Sequence, residues 1–115
     1  MAYDKRLKYS AIREMDFSLI TDIYQDLGST LSVVPRIIKF INATDANIYL
    51  TIDDSTDGDK FPAGSGEIID LMANNPVSDL VSSFPIGTQF GIKHDGSAPT
   101  KGYFAIVTIE PESGR

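Results

Sequence analysis

Residues 36–61 carry the clearest pattern of apolar and polar positions in the chain, RIIKFINATDANIYLTIDDSTDGDKF. Ile37, Ile38, Phe40 and Ile41 make an apolar run, and a turn cluster follows at residues 42–47. Ile48, Leu50 and Ile52 then alternate with Tyr49, Thr51 and Asp53, the period-2 signature of a strand with one wet face. An acidic turn at residues 53–59 closes the unit. The pattern predicts a hairpin. A hairpin is at best marginally stable alone in water, so the rest of the chain must cover it.

The remaining pattern is also β. Residues 102–110 (GYFAIVTIE) place Tyr103, Ala105, Val107 and Ile109 on one face and Phe104, Ile106 and Thr108 on the other. Both faces are largely apolar, which predicts a central strand. Shorter strands are predicted at residues 67–72 and at 88–93, the latter opened by Pro85-Ile86-Gly87. Pro35 cannot donate to a central ladder and so marks the start of the strand at 36–42. Residues 19–27 (LITDIYQDL) fit helical spacing, with Ser18 as a cap and Gly28 as a stop, but residues 23–27 also fit a strand. So short a run among β signals favours the strand. Residues 11–18 and 77–84 hold no single period. Short strands divided by Gly, Pro and Asp turns predict an all-β fold: a small antiparallel β-sandwich or barrel with an extended N-terminal arm. The arm takes residues 1–10, the β-sandwich domain 11–110 and a C-terminal tail 111–115.

The totals narrow the function. A chain of 115 residues is one domain. Its net charge of −6 argues against nucleic acid as a partner, because phosphate binding needs clustered Lys and Arg. Only the arm is basic, through Lys5, Arg6 and Lys8. The absence of cysteine excludes disulfides and thiolate metal sites. No apolar run approaches about 20 residues, so no membrane partner is expected. The first ten residues have charge but no apolar stretch and do not read as a secretory signal.

Candidate chemistry is sparse. Asp53, Ser55, Asp57 and Asp59, with Gly58 in the glycine position, follow the first half of a calcium loop. The loop's last ligand should be a bidentate glutamate, and Gly64 stands there. Asp and Gly are also ordinary turn residues, so a solvated turn is preferred to a metal site. His94 is the single histidine, next to Asp95, and no nucleophile motif accompanies it; Gly64-Ser65-Gly66 is a flexible turn, not a nucleophile elbow. Asn42-Ala43-Thr44 matches a glycosylation sequon but needs a secretory route. Carboxylate pairs such as Glu67 with Asp70, or Asp22 with Asp26, read as surface charges. No catalytic, cofactor-binding or metal residue is assigned, no cofactor is expected, and the chain does not read as an enzyme.

Several features stand in a definite order between residues 11 and 109. An aliphatic strand leads to Asn42-Ala43-Thr44-Asp45; a strand ending in Asp53 precedes the acidic loop and Pro62-Ala63-Gly64; a short strand precedes Pro85-Ile86-Gly87-Thr88-Gln89 and the final apolar strand. In this order the chain resembles small β-rich virion proteins of tailed bacteriophages. The resemblance implies a non-enzymatic structural component of a virion, a neck, collar or tail-associated ring protein, with a capsid decoration protein as the nearest alternative. Its partners would be copies of itself in a symmetric ring and other virion proteins. Residues 1–10 would contact a neighbouring subunit. A free-standing carbohydrate-binding module is the alternative of another class, and it would use Tyr49 and Tyr103 as exposed aromatics on one face. A small hydrolase lacks its motifs.

Overall fold

A computed structural model describes residues 7–53, 58–70 and 84–111. The described strands are β1 (Leu7–Tyr9), β2 (Arg13–Asp16), β3 (Gln25–Asp26), β4 (Ile37–Asn42), β5 (Ile48–Thr51), β6 (Asp59–Phe61), β7 (Gly66–Asp70), β8 (Gly91–His94) and β9 (Tyr103–Pro111). Among the described residues a single 3-10 turn lies at Phe17–Leu19. All strand pairs are antiparallel, in two sheets. The first runs β1-β9-β4-β7, with β2 also on β9; the second runs β3-β8-β5-β6.

The sheets meet through their alternating inner residues, as a β-sandwich requires. Ile38, Phe40, Phe104 and Ile106 come from the first sheet; Ile48, Leu50, Phe61 and Ile92 come from the second. Aromatic rings cross the gap. Phe40 stands 5.4 Å from Phe61 and 6.4 Å from Phe90, and Phe61 stands 5.6 Å from Phe104. Such tilted and edge-on pairs add roughly 0.5–1.5 kcal/mol each beyond their burial. The prediction of β9 as a central strand holds: β4 lies on one side, β1 and β2 on the other.

The predicted hairpin at residues 36–61 does not form. β4 pairs with β7 and β9, while β5 pairs with β6 and β8, so the turn at 42–47 is a corner between sheets. The reason is the side chain of Asn42, which is 1% exposed. Its amide donates to the carbonyls of Ala46, Phe61 and Pro62 at 2.8–3.0 Å, and its Oδ1 accepts from the Thr44 N–H and hydroxyl. The asparagine replaces ladder bonds that a tight hairpin turn would supply. Both apolar runs can then face one core from opposite sides. Asn42 is also out of reach of a glycosylating enzyme in the folded chain.

The same corner is tied to the loop before β9. The Thr100 N–H donates to the Asp45 carboxylate at 2.8 Å, and the Thr100 hydroxyl donates to its other oxygen. The hydroxyl bond, then the amide bond, holds the Asp45 carboxyl below the usual carboxylate range. A depressed carboxylate contributes stability above its unfolded value, about 3.9, and loses it as pH falls through the folded value. Asp45→Asn is therefore expected to lower Tm at pH 7, with the deficit shrinking towards pH 3. A deficit that is constant across this range would contradict the assignment.

Residues 19–27 are neither helix nor full strand. Asp16 accepts from the Ser18 N–H and caps the 3-10 turn, and the Thr21 hydroxyl bonds to Ile23 on both sides. These local bonds compete with helix propagation. Ile20 and Leu27 enter the core while Ile23 points to solvent, and only Gln25 and Asp26 pair, as β3. The strand predicted at 88–93 forms only from Gly91. Before it, the Phe90 and Thr88 carbonyls accept from Leu27 and Leu31 across a segment broken by Gly28, whose φ of +71° leaves the ladder. The strand predicted at 67–72 is seen as β7; residues 71–72 and 77–83 lie outside the described residues.

Of the predicted arm, residues 1–6 lie outside the described residues, and Leu7–Tyr9 pair with the end of β9. Leu7, Lys8 and Tyr9 are all exposed. The register changes between β1 and β2: Tyr9 pairs with Ile109, but Arg13 pairs with Ile106. One extra residue is therefore accommodated at Ala11 and Ile12, a bulge that bends this edge. Next to it, Arg13 is 7% exposed and braces the sandwich end. Its Nε donates to the Ser29 carbonyl at 2.9 Å, and burial lowers its pKa while Glu110 opposes that shift.

Candidate functional site

The acidic turn is only partly described. Residues 54–57 lie outside the described residues. Asp53 accepts from the Thr51 hydroxyl at 2.9 Å, and the Gly58 N–H donates to the Leu50 carbonyl at 2.8 Å. Asp59 accepts from the next residue's N–H at 2.9 Å. These are the bonds of a turn. Among the described residues, no three His, Cys, Asp or Glu side chains gather in a group that could hold a metal. Sub-millimolar calcium is expected to leave Tm unchanged; a calcium-dependent rise of several degrees in a thermal melt would overturn this.

His94 lies in β8 opposite Ile48, and its backbone N–H donates to the Thr21 carbonyl at 2.9 Å. Its Nδ1 is buried with no hydrogen-bond partner among the described residues. The Ser65 hydroxyl donates to the Pro62 carbonyl at 2.6 Å, as a turn serine does. Neighbouring Asp95 pairs instead with Lys60 at 3.3 Å. In the carboxylate pairs, Asp22, Asp26 and Glu67 are exposed.

The outer face of the second sheet carries a row of alternating Lys and Tyr. Tyr49 pairs in register with Lys60 of β6 and with Lys93 of β8. Lys60 and Lys93 each stand 5.6 Å from the Tyr49 ring centre, and Lys93 is 4.6 Å from that of Tyr24. Each cation over a ring contributes about 0.5–1 kcal/mol at such a surface. Tyr103 is on the first sheet, so Tyr49 and Tyr103 do not share a face as the carbohydrate-binding alternative requires. The aromatic that does neighbour Tyr49 through Lys93 is Tyr24, whose segment carries a mixed helix and strand signal. Lysines over the rings occupy the surfaces a sugar would stack on.

The outer face of the first sheet is mostly apolar across β7, β4 and β9. Parity in the registers places Ile68 of β7, Ile37 and Ile41 of β4, and Val107 and Ile109 of β9 on that face, beside Tyr103 and Tyr9. Ile68 is 66% exposed and Tyr9 72%, and Ile12 at the bulge is 59% exposed. Lys39 of β4 interrupts this face, and Glu14 and Asp16 of β2, opposite Ala105 and Tyr103, place carboxylates on it. The alternation along β4 and β9 signals these positions in the sequence, because both strands are apolar on both faces. Where the sheet edges β6 and β7 splay, a cleft of about 170 Å³ is lined by Phe40, Leu50, Ile52, Asp59, Ile69 and Phe84.

Among the described residues no helix is long and apolar enough to cross a membrane. The chain matches no protein-family model, no curated protein and no solved structure.

Proposed function

We propose that the protein is a non-enzymatic structural component of a tailed-phage virion, most nearly a neck, collar or tail-associated ring protein that works by assembling with copies of itself and with other virion proteins. The observation that carries the assembly reading is the outer face of the first sheet. Ile37 and Ile41 of β4 and Val107 and Ile109 of β9 lie at outward positions beside Lys39 and Tyr103, and Ile12, Ile68, Leu7 and Tyr9 are exposed around them. Exposed apolar surface that extends over several strands marks a surface meant for contact. The order of turns along residues 11–109 supplies the virion part of the reading.

Two measurements test it together. Native mass spectrometry of the purified chain should give one oligomer of fixed copy number, and the gene should lie beside portal, capsid or tail genes. A chain that stays monomeric at about 100 µM, well above the Kd of weak interfaces, and is encoded away from such genes overturns the reading.

A further inference from the structure

The two edges of the first sheet suit one another. β7 pairs with β4 and β1 pairs with β9, and neither pairs with another described strand. Edge strands usually carry a lysine, a proline or a bulge that discourages pairing. β7 (GEIID) has none of these, and its central Ile68 is 66% exposed.

Backbone alternation says which groups each edge offers. The Asn42 N–H donates to the Ser65 carbonyl, so in step with Ser65 the backbone groups of Glu67 and Ile69 turn towards β4. Those of Gly66 and Ile68 turn outwards. The Ser10 N–H donates to the Thr108 carbonyl, so Lys8 turns towards β9 while Leu7 and Tyr9 turn outwards. Strand directions alternate across β7, β4, β9 and β1. A neighbour repeated in the same orientation therefore brings its β1 antiparallel to β7.

We propose that β7 of one copy pairs with β1 of the next, Ile68 opposite Leu7, so that the first sheet continues from subunit to subunit. This rests on the assembly reading above and names its joint. In this register Glu67 faces Lys8 and Gly66 faces Tyr9. An acid meets a base, two aliphatics meet, and a tyrosine covers a glycine, each a favourable cross-strand pair. Lys8 has reach to spare, since its contact with Glu110 within the chain is 3.9 Å long and its side chain is 48% exposed. Pairing β7 with a second β7 about a two-fold axis would instead bring two acidic strands together in a chain of net charge −6. The joint is heterologous, and a heterologous joint closes into a ring when the rotation per subunit closes and runs on as a filament when it does not.

The chain has no cysteine, so introduced pairs report cleanly. The test is oxidation of the full-length Leu7→Cys/Ile68→Cys double variant, read on a non-reducing gel and by native mass spectrometry, with both single variants alongside. Directly opposed residues at such a pair sit about 5.5 Å apart between Cα atoms, within disulfide reach. Within one subunit the two positions are roughly 14 Å apart, across two intervening strands, and cannot join. The expected result is a ladder of multiples ending in a closed ring for the double variant, no ladder for either single one, and about fivefold slower cross-linking when Glu67→Lys is added. A dimer from Ile68→Cys alone means two-fold pairing and overturns the proposal. A double variant that does not cross-link although the unaltered chain is oligomeric also overturns it, and leaves the assembly reading standing. A monomeric unaltered chain with no ladder sinks both.

Discussion

Asn42→Ala is expected to destabilise the fold by about 3 kcal/mol, out of the 5–15 kcal/mol a domain has in total. At this chain length that lowers Tm by roughly 10–20 °C. The side chain is 1% exposed and holds the corner between β4 and β5. Its amide reaches the carbonyls of Ala46 at 3.0 Å, Phe61 at 2.8 Å and Pro62 at 3.0 Å. Its Oδ1 accepts from the Thr44 N–H at 3.1 Å and hydroxyl at 2.7 Å. Alanine leaves these groups without that partner, all but the part-buried Pro62 carbonyl in buried bonds. Two amide hydrogens serve three carbonyls, so their bonds are shared, and the loss is less than three full bonds. Asn42→Asp keeps the shape but turns oxygen lone pairs towards carbonyl oxygens, so it should cost at least as much near neutral pH. Thermal melts of the two variants decide the matter. A Tm within about 2 °C of the parent for the alanine variant would mean that the corner relaxes onto other donors, and that Asn42 is not what keeps the hairpin from forming.

That hairpin shows what the sequence could and could not convey. The strands themselves were legible. β4, β5 and β9 sit within a residue or two of the predicted spans because apolar alternation reports burial directly. Pairing was not legible, because the same alternation serves a strand whether its neighbour is the next strand in sequence or one sixty residues away. Ile38 lies against Thr108 and Ile69, not against the strand that follows it. The deciding residue, Asn42, looked like one more turn-forming polar residue. Residues 19–27 read as a strand over a helix, yet only Gln25 and Asp26 pair, because Asp16 and Thr21 hold local backbone bonds that the apolar spacing does not report. The candidate surfaces were half legible. The two apolar faces of β9 were plain, and they foretold its central place. The Lys and Tyr row depends on register across β6, β5 and β8, which nothing along the chain announces.

Gly102→Ala is the second large effect, expected to cost about 3–5 kcal/mol. Two causes add. Gly102 has φ of +90°, where an L side chain is strained by roughly 1–2 kcal/mol. A methyl group there would also stand 2.0 Å from the Ala43 carbonyl oxygen and 3.0 Å from the Thr44 Cα. Both neighbours are backbone, so no side chain can swing aside. The main chain can hardly retreat either: the Gly102 carbonyl accepts from the Phe17 N–H at 3.0 Å, and the Ala43 N–H donates to the Tyr103 carbonyl at 2.9 Å. The glycine therefore lets β9 begin directly against the Asn42 corner, and the methyl would push the two apart. Gly96 separates the causes. Its φ of +96° is much the same, but a Cβ there meets nothing within 4 Å. Gly96→Ala should carry the conformational strain alone, about 1–2 kcal/mol, and Gly102→Ala should exceed it by at least about 2 kcal/mol in urea titrations with equal m-values. Equal costs at the two positions would show that the close approach to Ala43 carries no energy and that β9 is free to shift away from the corner.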